Sequence, residues 1–334
     1  MEHITCLFKQ IIQMDLKRGY HTMSQFKGTY LFKQNGLEIG RSSNIITTNG
    51  RKMILEYLSG SRQNWAADMA IGAMPTNTSG GSPTVSDTQL NFETSRQSVT
   101  LKSFISATNV DPDLIIVRST FPTDLYANIY EVGLYATSSA GFSTSTRNNF
   151  ILSDFSDLTY WNATAGSVTA NSFIPQGYNS PRIGANSINI PSSTTYSNSN
   201  LSIGFTNYTN VDSLQLLAFN TTAGTVTVTL TDISGKNQNI LFTTVNNTEY
   251  SVLSQVFDQN TSSSNNTSII NFNAISQIQI ATNSSASITL DAIKVVSANE
   301  ISTEESIVSK SVLSTPIPKN PNIPLDVEYY VELL

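Results

Sequence analysis

Ile129-Tyr130-Glu131-Val132-Gly133-Leu134-Tyr135 reads as a β-strand, and Ser309-Lys310-Ser311-Val312-Leu313-Ser314-Thr315-Pro316-Ile317-Pro318-Lys319 reads as the strand that should follow it. About 170 residues, from 135 to 309, separate the two. The sequence between them is rich in Asn, Ser and Thr and carries strand signals of its own. The chain therefore reads as a β-framework interrupted at a strand connection by a second unit.

Upstream of the interruption the frame is expected to open with a hairpin. Thr29-Tyr30-Leu31-Phe32-Lys33 and Leu37-Glu38-Ile39-Gly40 flank an Asn35-Gly36 turn, the strongest short-range hairpin signal. Between Asn44 and Gly60 the apolar spacing predicts a helix of about three turns, capped by Thr48 or Asn49 and packed on a sheet. Strands are expected at Met69–Gly72, Arg96–Ser106, Asp113–Phe121 and Asn128–Tyr135, then at Ser309–Leu313 and Leu325–Leu333. In the last of these, Leu325, Val327, Tyr329 and Val331 alternate with polar residues, which gives one buried and one wet face. This strand is also expected to offer an exposed edge for pairing with a neighbour.

The interrupting stretch, residues 150–298, begins at Asp154-Phe155-Ser156-Asp157-Leu158-Thr159-Tyr160-Trp161 and ends at Ser287–Val296. Short strands are expected between them at Ser187–Ile190, Ser202–Thr206, Ser213–Phe219, Gly224–Thr231, Asn239–Thr244, Glu249–Val256 and Ile275–Ala281. That spacing of strands and turns indicates a β-sandwich. Thr225-Val226-Thr227-Val228-Thr229-Leu230-Thr231 alternates strictly, with Val and Leu on one face. The fold class that follows is mainly β: an antiparallel β-sandwich frame with one helix, plus an inserted sandwich. The expected division is a leader at 1–22, a discontinuous frame at 23–149 and 299–334, and the insert at 150–298. On that division, removing residues 150–298 should leave a folded frame.

Composition narrows the function. Only 13% of the residues are charged and the net charge is −6, so the surface is made soluble by neutral hydrogen-bonding groups and lacks the clustered cations that follow a phosphate backbone. Nucleic acid is excluded as a partner on this ground. Residues 150–298 hold 3 basic and 7 acidic side chains, whereas residues 1–149 hold 13 and 11. Cys6 is the one cysteine and both histidines, His3 and His21, lie in the leader. Residues 22–334 therefore have no Ser-His-Asp or Cys-His chemistry and no imidazole or thiolate zinc site. No apolar run is long enough to span a membrane as a helix.

In the leader, Ile4, Leu7, Phe8, Ile11 and Ile12 form a helical apolar stripe. It fits a helix docked on a partner, a helix lying on a membrane surface, or an extension upstream of a start at Met23. It does not have the order of a secretory signal.

Two resemblances add to this reading. Ala70-Ile71-Gly72, Pro83-Thr84-Val85-Ser86-Asp87-Thr88-Gln89-Leu90, Glu93, Arg96, Thr120-Phe121, Glu131–Tyr135 and Ser311–Lys319, in that order, resemble a structural module of tailed bacteriophages of the tail-fibre, tail-collar or minor structural type. The family's two last motifs are usually close together, and here they are far apart. The insert resembles the jelly-roll or galactose-binding-like sandwich of carbohydrate-binding modules, whose last strand matches Leu290-Asp291-Ala292-Ile293-Lys294-Val295.

These resemblances imply a non-enzymatic virion protein at the particle surface or tail: a tail-fibre, baseplate or neck component, or a head decoration. Its partners would be other virion proteins of the tail, neck or capsid, further copies of itself in a homo-oligomer such as a trimer, and a host-surface glycan. No cofactor is required, but many sandwiches of this type hold a structural Ca2+, and by matching position Asp154, Asp157 and Asp291 are its ligands here, or else ordinary strand-end caps. For sugar binding the candidate residues are Trp161, Tyr160, Tyr178, Arg182 and Tyr208, several of which would serve equally as sandwich core. Two alternatives remain: a glycan depolymerase working through two carboxylates, and a bacterial surface adhesin.

Overall fold

A computed structural model describes residues 26–61, 64–74, 82–106, 113–137, 150–175, 180–203, 213–256, 270–296 and 307–333. The leader, Tyr178 and Tyr208 lie outside the described residues. In chain order the first part contains β1 (Phe26–Gln34), β2 (Leu37–Ser43), β3 (Ile45–Ile46), α1 (Thr48–Leu58), β4 (Asn64–Gly72), β5 (Glu93–Ser98), β6 (Leu101–Ile105), β7 (Leu114–Phe121) and β8 (Ala127–Thr137). The middle contains β9 (Phe150–Ser153), β10 (Trp161–Ala163), β11 (Thr169–Ser172), β12 (Asn186–Ile190), β13 (Thr195–Asn198), β14 (Ser213–Phe219), β15 (Gly224–Asp232), β16 (Asn237–Thr244), β17 (Ser251–Val256), β18 (Ile275–Thr282) and β19 (Ile288–Val296). The last part contains β20 (Ile307–Lys319) and β21 (Leu325–Leu333).

Among the described residues every ladder is antiparallel. Two frame sheets, ordered β2-β1-β21-β7-β6 and β3-β20-β8-β4-β5, face each other. Tyr30, Phe32, Val117, Phe121 and Tyr329 from the first share one core with Met69, Ile71, Val132, Leu134 and Val308 from the second. The stretches at 129–135 and 309–319 are indeed neighbours: Val132 pairs with Ser311, Gly133 with Lys310 and Leu134 with Ser309. The Asn35-Gly36 turn has positive φ at both residues, as a two-residue hairpin of the favoured twist requires. The helix is one cap earlier than expected, because Thr47, not Thr48 or Asn49, accepts the Gly50 N–H and donates its hydroxyl to the Ile307 carbonyl. At Gly50 a Cβ would meet the Val308 carbonyl oxygen at 2.1 Å, so the first turn of α1 lies directly on β20.

Two frame expectations are corrected. The strand expected at Arg96–Ser106 is two, because the chain turns a corner at Val99-Thr100 and passes from one sheet to the other. β21 offers no edge: it is the central strand of its sheet, paired along its length with β1 and β7. Its outward Glu328 is only 1% exposed and is held by Lys33 at 2.6 Å, by Arg118 and by the Tyr330 hydroxyl at 2.6 Å.

The middle strands make their own two-sheet sandwich. One sheet is ordered β10-β13-β18-β15-β16; the other is ordered β11-β12-β19-β14-β17, with β9 also on β19. Their facing sides form a second core that includes Trp161, Ile188, Leu216, Val228, Ile280 and Leu290. Asp154 and Asp157, expected in a strand, lie in the connection from β9 to β10.

The residues that carry the frame's sequence signature converge. The Lys310 ammonium lies 3.1 Å from Asp87 and 3.5 Å from Glu131, and donates to the Gln89 carbonyl. Glu131 is fully buried, and its carboxylate accepts the backbone N–H groups of Met74, Asn91 and Phe92. Arg96 forks onto Glu93 and lies 3.6 Å over the Tyr135 ring, whose hydroxyl accepts from the Leu90 N–H. This network binds the segment before β5 to β8 and β20. Glu131→Ala would leave Lys310 short of a partner and three N–H groups unmet, and is expected to destabilise the protein by about 3–5 kcal/mol in urea unfolding.

Candidate functional site

The sandwich has two outer faces, and they meet different surroundings. The face of the sheet that contains β14 and β19 is covered by the frame: Leu217, Phe219, Tyr250 and Ala292 pack with Ala73, Met74 and Phe92. The other sheet turns its outer face to solvent.

That free face is built by strand alternation. Tyr196, Val228, Leu230, Ile240, Phe242, Ile278 and Ile280 point into the core, so the residues between them point outward. The registers align them in rows. Asn162 lies opposite Ser197, Ser197 opposite Gln279, Gln279 opposite Thr229 and Thr229 opposite Asn239, a row of neutral hydrogen-bonding side chains across all five strands. At the usual strand spacing this row is about 19 Å long. Beside it run Thr195, Ala281, Thr227 and Leu241, and on the other side Gln277, Thr231 and Asn237. No charged side chain occurs in these rows, and each Asn, Gln, Ser and Thr can both donate and accept. Thr229 already donates to Asn239 Oδ1 at 2.8 Å. Tyr160, 49% exposed, precedes β10 and has its carbonyl bonded by the Asn162 amide. The alternation at Thr225–Thr231 signalled such a face; the row itself needed the register.

The expected sugar-contacting residues do not assemble. Trp161 is 5% exposed, with its ring 5.2 Å from that of Phe155 in the core. Alternation explains this, since Asn162 takes the outward position. Arg182 is buried at the contact with the frame. Its guanidinium is sandwiched between Tyr130 of the frame and Tyr250 of the sandwich, 3.8 and 3.9 Å from the ring centres, and donates to the Ala73 carbonyl at 3.1 Å. The backbone around it runs along the start of β8: Asn128 donates to the Arg182 carbonyl, Gly184 to the Tyr126 carbonyl, and Ala127 bridges to Ile183. Of the five residues, Tyr160 alone among those described is exposed beside the free face.

Among the described residues the three aspartates do not form one group. Asp157 is exposed and caps its own turn by accepting from the Thr159 N–H at 2.8 Å. Asp291 is fully buried and accepts from the Arg182 N–H at 2.8 Å, while its Oδ1 has no hydrogen-bond partner in the protein. Burial pushes its pKa up to about 8, against the N–H groups of Arg182 and Ile183 and the Arg182 charge, and the nearby Asp154 charge adds to the rise. Among the described residues no three acidic, His or Cys side chains gather as a metal-binding group. Of the expected trio, Asp154 lies close enough to Asp291 for its charge to act there, while Asp157 caps its own turn.

No family model and no curated protein matches the sequence. Among solved structures, the family 11 carbohydrate-binding module of the Clostridium thermocellum cellulase Lic26A-Cel5E is 13% identical, over 46% of this chain and 97% of that one, with a TM-score of 0.31. The CBM22-1–GH10 modules of xylanase 10B from the same organism are 11% identical over 46% of this chain, with a TM-score of 0.30. This chain spans only 29% of that structure's length. The enzymatically active domain of bacteriophage CBA120 tailspike protein 4 is 15% identical over 42% and 20% of the two chains, with a TM-score of 0.26. Likeness at this level concerns chain path alone and says nothing of what is bound.

The Arg182 clamp should couple the two sandwiches. Arg182→Ala removes two desolvated cation–π contacts and a hydrogen bond, and is expected to cost about 3 kcal/mol. Calorimetry should show the unfolding of the variant shifted down and separating into two transitions; an unshifted single transition would count against the clamp.

Proposed function

We propose that this protein is a non-enzymatic structural component of a tailed-bacteriophage particle, in which the frame attaches to other virion proteins and the sandwich turns its free face toward host-surface glycans. The observation that carries the glycan part is the uncharged row Asn162–Ser197–Gln279–Thr229–Asn239 on the sheet opposite the frame. Sugar hydroxyls are matched by side chains that donate and accept without charge, and a neutral polymer can lie along a flat row at little desolvation cost. Binding is favoured over hydrolysis because the row has no pair of carboxylates to act as acid and base or nucleophile. The virion part rests on the ordered signature from Ala70 to Lys319. Repetition of the chain by the symmetry of a particle or a homo-oligomer would turn weak single contacts into avidity.

Two measurements test this reading. Imaging of the intact particle should place the chain at its surface or tail, and its absence from purified particles would overturn the virion role. On an array of neutral and acidic polysaccharides the protein should retain neutral ones, with Gln279→Ala weakening retention about tenfold; retention that survives replacement of the whole row would sink the glycan assignment.

A structural Ca2+ also belongs to this reading, with Asp154 and Asp291 as the side chains that would hold it. The unpartnered Asp291 Oδ1 supports it. Calcium should raise the unfolding midpoint and chelator lower it, and Asp291→Asn should abolish the difference.

A further inference from the structure

The contact between frame and sandwich contains a small polar cavity whose volume open to the centre of a water molecule is about 10 Å3, room for one water. Arg96 and Glu93 of the frame line it from one side, Gln215 and Lys294 of the sandwich from the other. Three of its polar groups are already committed. The Arg96 guanidinium is held by its fork onto Glu93 and by the Tyr135 ring, and the Lys294 ammonium donates to the Glu93 carbonyl at 3.0 Å. Two further polar atoms of the lining residues, one donor and one acceptor, are buried and have no hydrogen-bond partner in the protein: Arg96 Nη1 and Gln215 Oε1.

Arg96 cannot turn to satisfy Nη1 without breaking the fork onto Glu93. Gln215 is fixed in the middle of β14, opposite Lys294 on one neighbouring strand and Ser254 on the other. A buried donor and a buried acceptor carried by two residues that line the same water-sized space can be satisfied together by a single molecule that accepts from one and donates to the other.

We propose that this cavity is a built water site, in which one ordered water accepts from Arg96 Nη1 and donates to Gln215 Oε1 and so joins the frame to the sandwich. The site lies away from the free face, and its occupancy is independent of what that face binds. It makes the docked orientation specific, because rotation of the sandwich on the frame would separate the two groups and leave both unpaired.

A crystal structure of the full chain, at a resolution that shows ordered solvent, tests this directly. A density peak within about 3 Å of both Arg96 Nη1 and Gln215 Oε1 is expected. Gln215→Glu keeps an acceptor and should keep the peak; Gln215→Leu should lose it and unfold at a midpoint lower by about 2 °C or more. An empty cavity in the parent protein, a direct Arg96–Gln215 hydrogen bond, or a water that persists in the Leu variant would each overturn the proposal. Should the Leu variant fail to fold, the parent and Glu structures decide.

Discussion

Pairing of β8 with β20 is the constraint on which the rest of the molecule depends. It closes the second frame sheet, brings Lys310 to Glu131 and Asp87, and supplies the carbonyls of Ile307 and Val308 on which α1 is seated. Two strands so distant in sequence pair at a loop-closure cost that grows only logarithmically with the separation. The sandwich reduces even that cost. Its first strand lies beside its last, with Phe150 opposite Val295 and Ile151 opposite Lys294, so the folded middle returns the chain close to where it left. A unit whose own ends are neighbours can interrupt a sheet without prising the sheet apart.

The buried charges show why this pairing is specific. An ion pair is a weak source of net stability when buried, because desolvation opposes the Coulomb gain. Once formed, however, Glu131 and Lys310 cannot be separated by a register slip without stranding a charge in the core. The same carboxylate holds three N–H groups of the segment leading to β5, and so one side chain ties the sheet to the loop that covers it. Residues that read in sequence as a scattered signature are in space one connected network.

The middle sandwich is a docked unit and not a tethered one. Apolar contact, the Arg182 clamp and backbone bonds from residues 182–184 to the start of β8 cover Ala73, Met74, Phe92 and Tyr130. Removing residues 150–298 would therefore uncover apolar frame surface, a consequence the sequence did not disclose. Docking through one sheet also decides which face is left to solvent, and with it the location of the candidate site.

From the sequence alone followed the mainly β class, the Asn-Gly hairpin and most strands of both sandwiches, because alternation and turn chemistry are local properties of neighbouring residues. Even there the helix cap shifted by one residue and a strand split at Val99-Thr100, where packing of the two sheets decides the bend. The candidate site was barely legible. Trp161 and Arg182 looked like ligand contacts because a large ring or a guanidinium has the same letter in a core, a clamp or a binding face. The row across the free face combines residues from five strands between positions 162 and 279, and no strand holds more than one of them. Only tertiary structure could assemble it, since register and docking are agreements between distant segments, set by which faces can be buried together.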